Sequence, residues 1–344
     1  MPISLVTGVT GQDGAYLTRQ LLNMGHQVHG TFRRASSANF WRLEELEVKE
    51  HDNLKLVEFD LIDPSGCTRL IDRVQPDYIF NLAAQSFVGV SFDQPIATAH
   101  MTGIGPLYLL EAIRTVNPKI RFYQASSSEL YGLVQSIPQN ENTAFYPRSP
   151  YAVSKLFAHW STVNYREAHG IFAASGILFN HESPLRGQEF VTRKITNSVA
   201  RIHLGKQDCI ELGNLDARRD WGYAEEYTMG MKMIMDHDTP ETFVLATGKS
   251  STVREFTDMA FRAIGVELSW RGKGVDEEGT CTKTGKLRVK VSPNFFRPAE
   301  VDYLIGDASL AKTKIGWEAK TGLAQLCAIM VEADIRRNKL GISF

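Results

Sequence analysis

Tyr151 and Lys155 stand four residues apart at the start of a helical pattern opened by Pro150, so their side chains project from one face. A tyrosine in that setting can take a proton from an alcohol. Free tyrosine ionises only near pH ~10, so a base near neutrality needs positive charge beside the phenol, which Lys155 supplies. Upstream, Ser126-Ser127-Ser128-Glu129 close an apolar run. On an extended chain residues two apart share a face, which would turn Ser127 and Glu129 into one cleft. There the hydroxyl would hold a reacting oxygen and the carboxylate would handle a second proton, more than oxidation or reduction alone requires. A Tyr-x-x-x-Lys pair by itself also describes an aromatic core residue with a snorkelling lysine, so its meaning depends on the elements around it.

The first of those elements is T-G-V-T-G-Q-D-G, between a β-branched run and a helical pattern. Gly8, Gly11 and Gly14 permit a tight turn, close backbone approach to a pyrophosphate and close packing of helix on strand; Thr10, Gln12 and Asp13 complete the turn. Strand before and helix after is the context that makes this a dinucleotide site. The second strand ends in Arg33 and Arg34, followed by Ala35 and Ser36, where an acidic residue would accept the ribose hydroxyls of NAD. Guanidinium groups suit a 2′-phosphate, so the expected cofactor is NADP. Asp60 could contact adenine or cap the turn after the third strand. The small residues of Leu82-Ala83-Ala84-Gln85-Ser86 would let the backbone lie against a cofactor, or simply pack helices closely.

Strands are expected at 3–7, 28–32, 56–59, 78–82, 122–127 and 174–179, with helices at 15–24, 67–74, 103–115 and 151–168. This alternation predicts an α/β fold, a Rossmann-type doubly wound parallel sheet with its ligand cleft at the carboxyl ends of the strands. Residues 1–180 form the expected cofactor domain, including the Tyr/Lys helix. Residues 181–344 form a smaller α/β substrate-binding domain, with strands at 210–212 and 243–246 and some segments returning to the first domain. The 271–285 stretch, rich in Gly, Lys, Glu and Thr, reads as an exposed loop. Lys plus Arg total 38 against 39 Asp plus Glu, which gives no global electrostatic case for nucleic acid or membrane binding. Cys67, Cys209, Cys281 and Cys327 form no CxxC pair, and His181-Glu182 lacks zinc-site spacing, so no metal is expected. With no signal-peptide pattern and no span-length apolar stretch, the expectation is a cytoplasmic protein.

The runs G-V-T-G-Q-D-G-A-Y-L, Y-Q-A-S-S-S-E-L-Y-G, F-Y-P-R-S-P-Y, G-I-L-F-N-H-E-S-P-L-R-G, F-V-T-R-K-I, L-G-N-L-D-A-R-R-D-W-G and R-P-A-E-V-D together resemble the GDP-mannose 4,6-dehydratase family of extended short-chain dehydrogenases/reductases over nearly the whole chain. That resemblance implies loss of water in three stages from a GDP-sugar. Tyr151 takes the C4 hydroxyl proton as hydride passes to NADP; Glu129, with Ser127, removes the C5 proton and assists departure of the C6 hydroxyl; hydride then returns to C6. The cofactor stays tightly bound and is regenerated each turnover. It further implies cofactor contacts at Arg33 through Ser36, Asp60, Leu61, Leu82 through Ser86, His181 and Arg186. Substrate contacts are implied at Ser86, Ser127, Glu129, Asn180, Val191, Lys194, Arg219 and Glu300. The segment 33–39 resembles the family's loop that reaches a neighbouring subunit, which implies a homo-oligomer, a tetramer. Two positions depart from the family: Ser127 is commonly threonine, and Ala97 carries tyrosine near the cofactor in some members. Smaller side chains there would admit a larger sugar, so a GDP-manno-heptose is the second substrate to consider, and nucleotide-sugar epimerisation a third reading.

Overall fold

Strand β1 (Ile3–Thr7) is ISLVT, buried over its last four residues, as befits the middle of a sheet covered on both faces. A computed structural model describes residues 1–36, 39–295 and 303–342. In it β1 pairs in parallel with β2 (Gln27–Phe32) on one side and β4 (Tyr78–Asn81) on the other. The sheet extends through β3 (Leu54–Glu58), β5 (Arg121–Ser127) and β6 (Ala173–Leu178), and a seventh strand, Thr242–Leu245, pairs with β6. Its order is seventh strand, β6, β5, β4, β1, β2, β3, all parallel. The direction of winding reverses between β1 and β4, and there the carboxyl ends of the strands open a crevice.

Helices at Gln12–Asn23, Pro64–Val74, Gly105–Val116 and Pro150–His169 lie close to the expected bounds. The last starts sharply: the Ser149 hydroxyl accepts from the Ala152 amide at 3.1 Å and Pro150 opens the first turn, which fixes Tyr151 and Lys155 at the crevice end. Gly170, in the left-handed region, ends it.

Two expectations for the second half are corrected. The 243–246 strand belongs to the central sheet rather than to a cap. The 271–285 stretch is not a loop throughout: Leu268–Arg271 pairs antiparallel with Glu278–Cys281, which pairs with Leu287–Val291, and Ile210–Leu212 completes a four-stranded sheet. Every second residue of Glu278–Cys281 is buried, but those residues are Gly279 and Cys281, so the inward face shows little apolar character in the sequence. This small sheet and the helices Val191–His203, Val253–Ala263 and Leu323–Leu340 share a second apolar core that includes Ile195, Phe256, Phe261, Val289 and Met330. A parallel pair of short strands, Asn180–Glu182 and Trp221–Tyr223, joins this half to the end of β6. Among the described residues no helix is long and apolar enough to cross a membrane.

Candidate active site

The glycine turn is a steric device. Gly8 holds φ +72°, and a Cβ on it would lie 3.1 Å from the backbone of Ala83; one on Gly14 would lie 2.3 Å from the Gly8 carbonyl oxygen. Bare backbone therefore brings the Gln12–Asn23 helix, β1 and the end of β4 together. The Thr7 hydroxyl accepts from the amides of Leu82 and Ala83, both at 3.1 Å, which fixes the small-residue run beside the turn. The cradle fits a dinucleotide pyrophosphate.

A hollow of about 150 Å³ at the strand ends is lined by Asp13, Leu82, Ala84, Ser86, Ser127, Glu129, Tyr151, Lys155, Asn180, His181 and Arg186. The Lys155 ammonium donates to the Ala125 carbonyl at 2.7 Å and lies 5.9 Å from the centre of the Tyr151 ring. Burial pushes the Tyr151 phenol up to about 12, partly countered by a hydrogen bond with Ser127. Burial pulls Lys155 down to about 8, with Asp13 opposing. Ser127 and Glu129 meet in the hollow, but not through strand alternation. β5 ends at Ser127, Glu129 sits in a 3₁₀ turn over Ser128–Leu130, and the Ser127 hydroxyl accepts from the Glu129 amide at 3.2 Å.

Asp13, partly buried, pairs with the buried His181 at 2.9 Å, and His181 Nδ1 donates to the Phe179 carbonyl at 2.7 Å. Burial works against both charges, yet their mutual attraction wins: Asp13 lies below its ordinary value and His181 above. Gln12 ties the same junction, donating to the His181 carbonyl at 3.0 Å and accepting from Ser183 at 2.7 Å.

A second hollow, about 350 Å³, shares Asn180, Arg186 and Phe190 with the first and adds Val191, Lys194, Arg219 and Trp221. The first turn of the Val191–His203 helix faces it, presenting amides and the positive end of the helix dipole. Burial lowers Lys194, whose ammonium lies 3.1 Å from the centre of the Phe295 ring. The Asn180 side-chain oxygen is buried without a hydrogen-bond partner where the hollows meet, as expected of a group that a ligand satisfies.

Arg33, Arg34 and Asp60 line a third hollow of about 550 Å³ between the ends of β2 and β3, joined there by Arg69 and Arg73. Asp60 accepts from the Ile62 amide at 3.2 Å, the turn-forming role, and Arg34 lies 3.7 Å from Glu58. Ala35 and Ser36 are exposed. Leu61 is buried against Gly105, and Gln85 is held through its amide by Thr102. Glu300 lies outside the described residues, as do positions 37 and 38 of the segment expected to reach a neighbour. Ala97 is exposed on the Pro95–Thr98 turn and lines neither of the first two hollows.

Sequence reasoning missed Glu182 and Phe190. Glu182 is 2% exposed and pairs with Arg186 at 3.0 Å, while the Arg186 guanidinium stands 3.5 Å over the Phe190 ring. Glu182 belongs to the N-H-E-S-P run, and with no zinc-site spacing around it nothing else in the sequence singles it out.

A family model described as GDP-mannose 4,6 dehydratase matches residues 5–330. The GDP-mannose 4,6-dehydratase of Yersinia enterocolitica is 51% identical, with 98% of this chain and 95% of that protein covered. The human GDP-mannose 4,6 dehydratase is 49% identical over 97% and 91%. Among solved structures, a dTDP-glucose 4,6-dehydratase from Streptomyces venezuelae with NAD and TYD bound superposes with a TM-score of 0.83 at 21% identity, covering 99% of each chain. The UDP-glucose 4-epimerase of Thermotoga maritima does so at 0.81 and 24%, covering 98% and 99%, so this fold also serves another reaction. Near-full-length identity of about half, with a family model spanning almost all of the chain, decides the matter: the chain belongs to the GDP-mannose 4,6-dehydratase family.

Proposed function

We propose that the protein converts GDP-mannose to GDP-4-keto-6-deoxymannose and water. The observation that carries this reading is Glu129, a carboxylate in the same hollow as Ser127, Tyr151 and Lys155. Epimerisation at C4 needs no acid or base at C5, so that carboxylate favours dehydration. A bound nicotinamide dinucleotide supplies the hydride acceptor for C4 and the donor for C6. Tyr151 takes the C4 hydroxyl proton, Ser127 holds that oxygen, and the Lys155 charge favours the phenolate. The 4-ketone acidifies C5; Glu129 removes that proton and passes it to the departing C6 hydroxyl, which leaves as water, and once C6 has been reduced the proton that Tyr151 took from the C4 hydroxyl is delivered to C5, restoring both side chains. Asn180 and Arg186 line the junction between the catalytic hollow and the nucleotide hollow, where Lys194, Arg219 and the helix start suit a diphosphate.

Arg33 and Arg34 favour NADP over NAD. Residues 181–344 supply most of the nucleotide-sugar side. A cytoplasmic location accords with four unpaired cysteines. The reading extends to a homo-oligomer, a tetramer: Val153, Phe157 and Trp160 stand 55%, 48% and 54% exposed on one helix, an apolar face that suits a subunit contact. Light scattering at micromolar concentration checks it, and a monomer would contradict it. For the chemistry, Glu129→Gln is expected to lower turnover ~10²- to 10⁴-fold while cofactor stays bound. Full activity of that variant would sink the dehydratase mechanism.

A further inference from the structure

We propose that Asp220 is a positioning residue for the nucleotide end of the substrate, its buried carboxylate fastening the wall that presents Arg219 and Trp221. The inference rests on reading the 350 Å³ hollow as the GDP site. Asp220 is fully buried between Arg219 and Trp221, which line that hollow, and itself lines neither it nor the catalytic hollow. One carboxylate oxygen accepts from the Thr247 amide at 2.9 Å and the Thr247 hydroxyl at 2.6 Å. The other accepts from the amides of Gly248 at 2.9 Å and Gly306 at 3.3 Å.

These four donors come from two distant segments. Thr247 and Gly248 follow the seventh strand of the central sheet, whereas Gly306 lies three residues beyond Tyr303, which bridges to Arg218. Arg218 and Arg219 also pair antiparallel with Thr252 and Ser251. A single anion therefore anchors the Arg219 strand to the edge of the cofactor sheet. Ser127, Tyr151 and Lys155 sit on β5 and the Pro150–His169 helix, away from this knot.

Asp220→Asn keeps the size of the side chain but turns an NH₂ toward amide donors whichever way it is rotated, which leaves a buried N–H unpaired. In the cofactor-loaded protein, calorimetric titration with GDP is expected to show Kd about 10- to 100-fold weaker. KM for GDP-mannose should rise by a similar factor, with kcat within about threefold and cofactor content unchanged. Thr247→Ala, which removes one of the four donors to Asp220 together with the acceptor of the Lys249 amide, is expected to weaken GDP by roughly threefold to tenfold and provides the test if the Asn variant does not fold. A lower melting temperature with unchanged GDP affinity, or a fall in kcat at constant KM, would overturn the proposal. Absence of GDP binding by the wild type would overturn the reading of the hollow and the proposal with it; normal wild-type binding with unaffected variants would overturn the role of Asp220 alone.

Discussion

Replacing Lys155 with methionine removes one buried positive charge and keeps most of the apolar stem. The ammonium lies 5.9 Å from the centre of the Tyr151 ring. At an effective dielectric of about 20, a unit charge at that distance favours the phenolate by ~3 kcal/mol, or ~100-fold in the population of the reactive base. The need is real: with the phenol pushed up to about 12 by burial, forming the phenolate near neutral pH costs roughly 7 kcal/mol. Lys155 is itself drawn down to about 8 by burial, so its charge is present below that pH and is lost as pH rises through it. The ratio of wild-type to Lys155→Met kcat should therefore be ~100 near neutrality and shrink above pH 8. The assay is the initial rate of 4-keto product formation on both sides of pH 8, with cofactor content and melting temperature as controls, since the Ala125 carbonyl loses its donor. A ratio that stays constant across that pH, or a variant with wild-type kcat, would refute the electrostatic role.

Two other perturbations probe the cofactor side. Arg33→Ala combined with Arg34→Ala should weaken NADP ~10- to 100-fold while hardly changing NAD, because charge-assisted hydrogen bonds of ~1.5–3 kcal/mol are lost only where a 2′-phosphate is present; equal losses for both dinucleotides would contradict the assignment. For the Asp13–His181 pair the signs run in opposite directions. His181, raised above its ordinary 6.5, contributes stability that is full below that pH and lost as pH rises through its folded value. Asp13, lowered below 3.8, contributes stability present above that pH and lost as pH falls through its folded value. His181→Gln should therefore lower the melting temperature most between pH 3.8 and 6.5 and less in alkaline buffer; a pH-independent difference in differential scanning fluorimetry would argue against a charged pair.

The sequence disclosed those parts of the site that depend on local sterics. Gly8 and Gly14 are glycines because backbone lies where a Cβ would be, and the Tyr151–Lys155 spacing is set by one helix whose Ser149-Pro150 start is itself a local signal. The central strands β1 and β6 were legible because burial on both faces writes near-continuous apolar runs. Contacts between distant segments left no such trace. Asp13 meets His181 across 168 positions, and nothing near either residue announces the pair. The Thr242–Leu245 strand looks the same whether it joins a cap or the central sheet, since only its partner β6 distinguishes the two. Glu129 reached its expected hollow through a turn that three serines and a glutamate do not specify.

Internal return of hydrogen from C4 to C6 with loss of water separates this account from both epimerisation and simple oxidation. The purified protein should be given GDP-mannose carrying deuterium at C4, without added cofactor, and its product read by NMR and mass spectrometry. The expected product is lighter by one water, with a carbonyl at C4 and the deuterium at C6. Unchanged mass with an inverted C4, or dehydrated product whose deuterium is lost, would contradict it.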